Sequence, residues 1–325
     1  MIKRESAVHV QNQRASATSA APPSLAVTHG ERVLDQSSGV TKLELVRYYA
    51  LVGSLMMPHL KQRPVSLLRA PAGFAGKLFF QKHVAHNLPT GLQALDPALD
   101  PGHEPLVTVA SAAGLIAAAQ WNVVEFHTSN ALATHMDRPD RLIFDLDPGV
   151  GVTWLQVQQG SELLHAFLTE LSLVSFAKTS GGKGIHVVVP IRRRYEWALV
   201  KDFAHAIVTH LTRVLPGHFV DKSGPKNRVG KIFIDYLRNG RGATTVSAWS
   251  ARARPGAGVS VPLRWDELHS LKSADQWTVR NIHARLDEGN AHWADYDKVA
   301  NSLTQAMRIM QYRPSAQTKS RTSKS

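Results

Sequence analysis

The sequence predicts a fold of the α+β class, with helices and strands mixed along the chain. Short apolar runs rich in β-branched residues, such as 141–148 and 184–189, have the length and composition of strands. Longer segments near 153–172 and 196–215 have the length and apolar content of helices and lie beside those runs. With 325 residues, 43% of them apolar, the chain can bury the core of one large domain or two small ones.

The N-terminal part is predicted to contain a leader followed by a helix. Residues 1–27 are rich in Ser, Ala, Gln and Pro without helical or strand period, so we expect a disordered leader there. Thr41 can cap a helix, with Glu44 as its capping-box partner. We expect that helix to end at Pro58, because proline cannot continue the hydrogen-bond ladder.

The next segment is predicted to contain three strands and a helix. Residues 64–69 and 77–82 are typical of short strands around a Pro/Gly turn. Residues 108–120 form an Ala-rich run that predicts a helix, and residues 123–127 alternate like a strand.

The remaining elements continue this mixture toward the C-terminus. Strands are predicted at 174–178, 184–189 and 231–236. After 262–268 the chain is expected to return to helices. Residues 291–325 are expected to form a helical end and a basic, disordered tail.

Composition favours a polyanionic partner. The formal net charge is +13, which suggests nucleic acid, although anionic lipid or simple solubility would also account for it. The chain contains no cysteine, so disulfides and thiolate metal sites are excluded and any metal must be held by oxygen or imidazole. It has neither an apolar run long enough for a membrane span nor a signal-peptide pattern, so we expect a cytoplasmic protein.

Three aspartates form the main candidate for a catalytic site. Asp145 and Asp147 lie two residues apart in a predicted strand, so both side chains leave by the same face. Two close carboxylates repel each other unless a cation lies between them, and oxygen ligands suit Mg²⁺ or Mn²⁺. Asp235 ends another apolar strand and could complete the group. In the alternative interpretation, Asp145 is a strand-end turn residue before Pro148 and Asp235 pairs with Arg238.

A glycine-rich segment at 179–186 is a candidate phosphate site. It contains three glycines with Ser180, Lys183 and His186, and such a loop exposes backbone N–H groups beside a positive charge. It lacks the spacing of a Walker loop. The alternatives are a glycine-rich hairpin with a solvated lysine, and a core position for His186.

Paired arginines and paired phenylalanines are further candidates. Arg252 and Arg254 would share a face if extended, which suits binding of phosphate oxygens, whereas a solvated arginine loop is the alternative. Phe79 and Phe80 would ordinarily be core residues. Adjacent strand residues point to opposite faces, so we expect one of them to be free to stack on a base.

Taken together and in this order, these segments resemble the polymerase domain of bacterial ligase D. That domain belongs to the archaeo-eukaryotic primase superfamily and is used in non-homologous end joining. The resemblance runs from about residue 28 to about residue 285 and rests on segments 39–42, 63–67, 79–83, 145–147, 179–186, 233–239 and 252–257.

The resemblance implies roles for individual residues. It implies two divalent ions, Mn²⁺ or Mg²⁺, held by Asp145, Asp147 and Asp235, and a nucleoside triphosphate, NTP or dNTP, as substrate. The nucleotide would be bound by Ser180, Lys183, His186, His127, Arg252 and Arg254. On the DNA side it implies base stacking by Phe79 and Phe80, a 5′-phosphate pocket with Lys42 and Arg32, and further contacts by Arg228 and Arg238. The family often has lysine at the position of Arg32, so this residue is a departure that keeps the charge.

The resemblance also implies an architecture and a set of partners. The fold would have an N-terminal α/β module at about 28–135, an antiparallel, RNA-recognition-like catalytic core at about 136–262, and C-terminal helices, with the whole domain ending near residue 290. The activity would be addition of nucleotides to a DNA 3′-OH at gaps and breaks carrying a 5′-phosphate. Ku and an ATP-dependent ligase are the expected partners, at the nucleoid.

Two other functions stay open at this stage. The chain could be a DNA-end-binding scaffold with weak catalysis, although all three aspartates are present, or a metal-dependent nuclease or phosphoesterase. Dependence on added NTP separates the polymerase from the nuclease. The sequence contains no Lys-x-Asp-Gly motif, so ligation by this chain is not expected.

Overall fold

The computed structural model describes residues 26–84 and 87–314, and it confirms the mixture of helices and antiparallel sheets. The predicted leader lies outside the described residues except for 26 and 27, and so does the tail from 315 onward. The helices are α1 (Lys42–Leu60), α2 (Ala112–Gln120), α3 (Trp154–Glu170), α4 (Trp197–Val214), α5 (His283–Leu286) and α6 (Leu303–Ile309).

Fourteen strands are described. They are β1 (Val33–Asp35), β2 (Val40–Thr41), β3 (Val65–Arg69), β4 (Phe79–Gln81), β5 (Leu92–Ala94), β6 (Val107–Val109), β7 (Val123–Ser129), β8 (Arg141–Pro148), β9 (Phe176–Thr179), β10 (Ile185–Pro190), β11 (Phe219–Val220), β12 (Ile232–Asp235), β13 (Thr244–Val246) and β14 (Pro262–Leu263).

A six-stranded sheet forms the centre of the fold. Its order is β11-β12-β8-β10-β9-β14, and every pair except β11–β12 is antiparallel. Leu142, Phe144 and Leu146 alternate along β8 and are fully buried, and the core also includes apolar residues of α3 and α4. The opposite face of β8 is therefore the one that carries Asp145 and Asp147.

The second sheet has four antiparallel strands in the order β13-β7-β3-β4. Its buried apolar residues on β3 and β7 belong to the same hydrophobic core as residues of the central sheet. Three of its strands come from the predicted N-terminal module. The fourth, β13, falls within the range predicted for the catalytic core and pairs with β7 through Val246 and His127. The chain therefore returns from the central sheet to complete the earlier one, which carries Phe79 and Phe80 on its edge strand β4.

Two predicted helices have different boundaries in the structure. Helix α1 passes through Pro58 and ends at Leu60. Proline removes only the bond to the carbonyl four residues earlier, that of Ser54, and Ser54 is exposed so water can satisfy its carbonyl. Helix α2 starts at Ala112 rather than 108, because Ser111 is extended and its hydroxyl caps Gly114, while Val107–Val109 pairs with Leu92–Ala94.

The C-terminal third contains shorter helices than expected. After β14, α5 has 4 residues and α6 has 7, with single 3₁₀ turns between them. Within the described part of the chain, every helix is too short or too polar to cross a lipid bilayer.

Candidate active site

Four polar side chains form a row across the central sheet. In the antiparallel pairing, Asp235 on β12 is opposite Asp145 on β8, and Asp145 is opposite His186 on β10. His186 is in turn opposite Lys178 on β9. Residues directly opposite each other in neighbouring antiparallel strands share a face, so the row extends over four strands. Asp147 lies two residues along β8 on the same face.

Each carboxylate of the group has one basic neighbour. Asp145 Oδ1 lies 3.3 Å from His186 Nε2, Asp147 Oδ2 lies 3.1 Å from Arg228, and Asp235 Oδ2 lies 2.9 Å from Arg238 Nε. The ion pair between Asp235 and Arg238, considered above as an alternative, is thus present inside the acidic group. The structure brings all three predicted aspartates together, with a basic rim around them.

The electrostatics of the three acids differ. Burial and the charge of Asp145 raise the pKa of Asp147. Burial also raises the pKa of Asp235, with Asp145 adding to the effect and Arg238 opposing it. Burial opposes ionisation of Asp145 too, but His186 and the nearby arginines Arg238 and Arg252 outweigh it and lower its pKa. The carboxylates therefore repel one another, and a bound cation would relieve that repulsion.

The turn after β8 permits the contact between Asp147 and Arg228. A Cβ atom on Gly149 would lie 1.6 Å from the carbonyl oxygen of Arg228, so only glycine allows this approach of the two backbones. Arg228 ends a 3₁₀ helix, Pro225–Arg228, and contacts Asp147 from there. Gly149 thus allows the Arg228 guanidinium to lie at the end of β8, next to Asp147.

The glycine-rich loop between β9 and β10 is organised by its own serine. The Ser180 hydroxyl accepts hydrogen bonds from the backbone N–H groups of Gly182 and Gly184, at 3.2 and 3.1 Å. Its own proton remains available for another acceptor. Gly181 has φ of +66°, which favours glycine, and Lys183 is exposed at the tip. The loop thus combines a hydroxyl donor with an exposed lysine.

Glu125, which the sequence reasoning missed, holds two predicted site residues. Its side chain is 3% exposed, and its carboxylate accepts from Arg252 Nε at 3.0 Å and contacts His127 Nε2 at 2.7 Å. It also accepts from the backbone N–H of Ala253 at 2.8 Å. Arg252 donates further to the carbonyl of Ser180 at 2.5 Å. Glu125 therefore links β7, the arginine segment and the glycine-rich loop.

Lys178 was also missed, and it determines which nitrogen of His186 faces Asp145. Its ammonium donates to Ser260 Oγ at 2.8 Å and lies 3.0 Å from His186 Nδ1. Burial lowers the pKa of Lys178 well below its usual value, with Asp145 opposing. Burial also lowers the pKa of His186 to about 4, with the charge of Asp145 opposing. With Nδ1 facing the lysine, Nε2 is the nitrogen presented to the acids.

Most of the predicted residues line one cleft of about 750 Å³. His127 lies in a smaller adjoining cavity that also touches Asp145 and His186. Asp235 is 5% exposed, one strand away from Asp145. Arg254 is exposed close to Gly182. The predicted residues that line the cleft are Asp145, Asp147, Ser180, Lys183, His186, Arg228, Arg238, Arg252 and Arg254.

Phe79 and Phe80 are both on the surface, 41% and 49% exposed, whereas strand alternation alone predicted one exposed ring and the family resemblance implied two. Both lie on β4, the three-residue edge strand of this sheet. The ring of Phe80 meets His127 edge-on, with centroids 5.3 Å apart. The aromatic pair therefore adjoins the histidine at one side of the cleft.

Lys42 and Arg32 lie away from the cleft, where β1 and β2 meet α1. Lys42 is 3% exposed, and its ammonium donates to the carbonyl and hydroxyl oxygens of Thr28 at 2.9 and 3.2 Å. Burial lowers its pKa, and the charge of Arg32 adds to the effect. Arg32 donates to the carbonyl of Pro71 and to Asn122, while its buried Nε lacks a partner among the described residues. Two adjacent cations thus retain hydrogen-bond donors to spare.

The chain is similar to known proteins in sequence and in fold. The family model for the LigD primase-polymerase domain matches residues 41–293. The multifunctional non-homologous end joining protein LigD of Pseudomonas aeruginosa is 49% identical over 296 residues, which is 90% of this chain and 35% of that protein. The LigD protein of Mycolicibacterium smegmatis is 31% identical over 244 residues, 74% of this chain and 32% of its own. The chain thus spans about a third of these relatives.

Among solved structures, one match is the polymerase domain of Mycobacterium tuberculosis ligase D in complex with DNA. The TM-score is 0.76 at 27% identity, and the match covers 85% of this chain and 99% of that one. The likeness therefore extends to the whole fold of that domain.

Proposed function

Since this chain belongs to the LigD primase-polymerase family, we propose that it is a nucleotidyltransferase that adds nucleotides to a DNA 3′-OH at gaps and double-strand breaks. The observation that carries the proposal is the cleft lined by Asp145 and Asp147, with Asp235 beside them on the adjacent strand, together with a hydroxyl, an imidazole, a lysine and four arginines. Carboxylates that can hold metal ions, next to basic groups that can bind a triphosphate, are what phosphoryl transfer to a 3′-OH requires.

The donor set fits divalent metal ions. Asp145, Asp147 and Asp235 offer only carboxylate oxygens, which suits Mg²⁺ or Mn²⁺, and their mutual repulsion would fall on binding. When bound, two such ions acidify the attacking hydroxyl and neutralise the transferring phosphate.

The residues of the chain itself bind and orient the nucleotide. Ser180 offers its hydroxyl proton, Lys183 and Arg254 offer exposed charges, and Arg252 is fixed in place by Glu125. His186 presents Nε2 to the same space, because Lys178 engages Nδ1. These donors favour the triphosphate over an uncharged ligand.

The decisive experiment is primer extension by the full chain on gapped DNA with a 5′-phosphate, comparing NTP with dNTP and Mg²⁺ with Mn²⁺. We expect addition that requires both nucleotide and metal and follows the template base. Primer shortening without nucleotide would favour the nuclease, and tight DNA binding without extension would favour the scaffold.

Replacing Lys183 with Ala is expected to raise KM for the nucleotide about 10- to 100-fold with a smaller effect on kcat, because a charge-assisted bond to phosphate is lost. Steady-state extension at varied NTP measures this. Lys298→Ala, which removes an exposed lysine paired with Asp295, is the matched control and should leave KM unchanged. An unchanged KM in Lys183→Ala would contradict the assignment of this loop to the nucleotide site.

DNA binding is assigned to the surface around the aromatic pair. Phe79 and Phe80 are available for stacking against bases, which is worth about 1–3 kcal/mol per base. Arg228 and Arg238 lie at the rim of the cleft beside the acids, where they can also contact the DNA backbone once metal ions occupy the carboxylates.

The 5′-phosphate of the downstream strand is assigned to Lys42 and Arg32. The two cations are adjacent and keep unused donors, and an anion would relieve their repulsion. Because Lys42 is buried beneath Thr28, we infer that the segment containing Thr28 moves aside when the phosphate binds.

Lys42→Ala is expected to weaken binding to 5′-phosphorylated gapped DNA about 10-fold, since one charge-assisted bond is lost. Removing the phosphate from the DNA should then cause no further loss, and equilibrium titration of both proteins with both DNAs forms the double-mutant cycle. Lys61→Ala, at the other end of α1, is the control and should retain the phosphate effect. Additive losses would contradict the assignment.

We propose the partners that the family resemblance implies. We expect DNA ends held by Ku and sealing by an ATP-dependent ligase, separate or fused, because the chain lacks the Lys-x-Asp-Gly motif of a nucleotidyl-lysine ligase. Such a role would be carried out in the cytoplasm at the nucleoid.

A further inference from the structure

A second group of metal-ligating side chains lies outside the cleft, at His83, Asp100 and His103. His83 Nε2 is 2.7 Å from Asp100 Oδ2, and His103 Nδ1 is 3.5 Å from Asp100 Oδ1. The two imidazoles stack with centroids 5.0 Å apart and planes at 10°. One potential ligand atom from each residue lies within 4.8 Å of the others. We propose that these three side chains bind a transition-metal ion of the Zn²⁺ class.

A comparison within the molecule supports a metal rather than an ordinary ion-pair cluster. Glu267, Glu288 and His292 are grouped at similar spacing, but the buried guanidinium of Arg285 fills that group, at 2.6 Å from Glu267 and 2.8 Å from Glu288. Across 26–84 and 87–314, no lysine or arginine forms an ion pair with Asp100. Its two oxygens contact the two imidazoles, and the charge of Arg241 acts on it without an ion-pair contact.

The ligand types determine which ion suits the site. Two imidazole nitrogens and one carboxylate match Zn²⁺ and its neighbours, whereas the all-carboxylate group in the cleft matches Mg²⁺ or Mn²⁺. Three protein ligands leave a fourth position for water. The side chains of His83, Asp100 and His103 are 24%, 38% and 60% exposed, so an ion can enter from solvent.

The position of the cluster gives the ion a structural role. His83 comes two residues after β4, the strand with Phe79 and Phe80, and bridges to Leu106. Asp100 ends the 3₁₀ helix Pro97–Leu99, and the His103 N–H closes a turn onto the Asp100 carbonyl. A metal bound to all three would fasten this loop to the end of β4. It would thereby stiffen the edge that carries the exposed aromatic pair.

Zinc binding to the full chain tests the proposal. Wild-type protein in excess Mg²⁺, which occupies the oxygen site, is titrated with Zn²⁺ against a chelating dye. We expect about one Zn²⁺ per chain, and Co²⁺ in its place should give the visible absorption bands of a low-coordinate nitrogen–oxygen site. His103→Ala and His83→Ala should each lose that ion and the rise in Tm that Zn²⁺ produces.

His269→Ala is the matched control, because His269 is an exposed imidazole paired with a single carboxylate, Glu162. It should bind Zn²⁺ as the wild type does. Equal Zn²⁺ binding by the wild type and the folded His83→Ala/His103→Ala chain would overturn the proposal. Loss of binding on Asp145→Asn instead would also overturn it, since the ion would then belong to the cleft.

Discussion

Asp145→Asn is expected to lower the rate of nucleotide addition about 10³-fold or more while leaving DNA binding intact. Asp145 lies at the centre of the row, opposite both Asp235 and His186, so the substitution removes the charge shared by the whole group. Loss of one preorganised electrostatic group in a dry site costs about 10²–10³ in rate, and a shared metal ligand should cost more. Single-turnover extension of a gapped primer measures the effect.

Asparagine has nearly the shape of aspartate, so the fold should be kept, and thermal unfolding checks this. Asp266→Asn is the control, since it removes an exposed carboxylate paired only with Arg264 and should leave the rate unchanged. Extension at close to the wild-type rate by Asp145→Asn would contradict metal-assisted transfer at these residues.

Glu125→Ala is expected to have the largest effect on stability among the site substitutions. The carboxylate is buried and has three partners, and its removal leaves Arg252 Nε and the N–H of Ala253 without their acceptor. Breaking a buried ion pair on one side costs about 3–5 kcal/mol of the free energy of unfolding. KM for the nucleotide should rise as well, because Arg252 and the glycine-rich loop lose their common support. Urea unfolding and extension kinetics measure the two effects.

Two control variants distinguish the linking role of Glu125 from the effect of removing any glutamate. Glu162→Ala, which removes a partly exposed partner of His269, should cost about 1 kcal/mol or less. Glu125→Gln keeps acceptor capacity and should cost less than Glu125→Ala. Equal, small losses in Glu125→Ala and Glu162→Ala would refute the linking role.

The same glutamate should show a defined pH dependence. Burial raises its pKa, but the hydrogen bond with His127 and the charge of Arg252 outweigh burial and lower the pKa to about 2. Because the pKa is lower in the folded than in the unfolded chain, the ionised carboxylate stabilises the fold at pH values above the unfolded pKa of about 4.3. The stability advantage of wild type over Glu125→Gln should therefore be constant above about pH 5 and decline as the pH falls toward 2.

Several parts of the fold could be predicted from local pattern alone. The capping box at Thr41 and Glu44 is present, and the apolar alternation of β8 predicts a strand whose acids share a face. The boundaries of helices were harder to predict. The Ala-rich run does not reveal that Val107–Val109 pairs with Leu92–Ala94 before the helix begins at Ala112. The exposure of both Phe79 and Phe80 depends on what the rest of the fold packs against β4, which local sequence does not state.

The sequence by itself determined the strand that carries Asp145 and Asp147 and the face that these two acids share, because a period of two along one strand is a local property. Only the tertiary structure decided that Asp235, His186 and Lys178 lie in register with Asp145, and that Glu125 supports Arg252 across 127 positions of chain. The physical reason is that strand register and buried ion pairs arise from long-range packing, on which local hydrophobic periodicity carries no information.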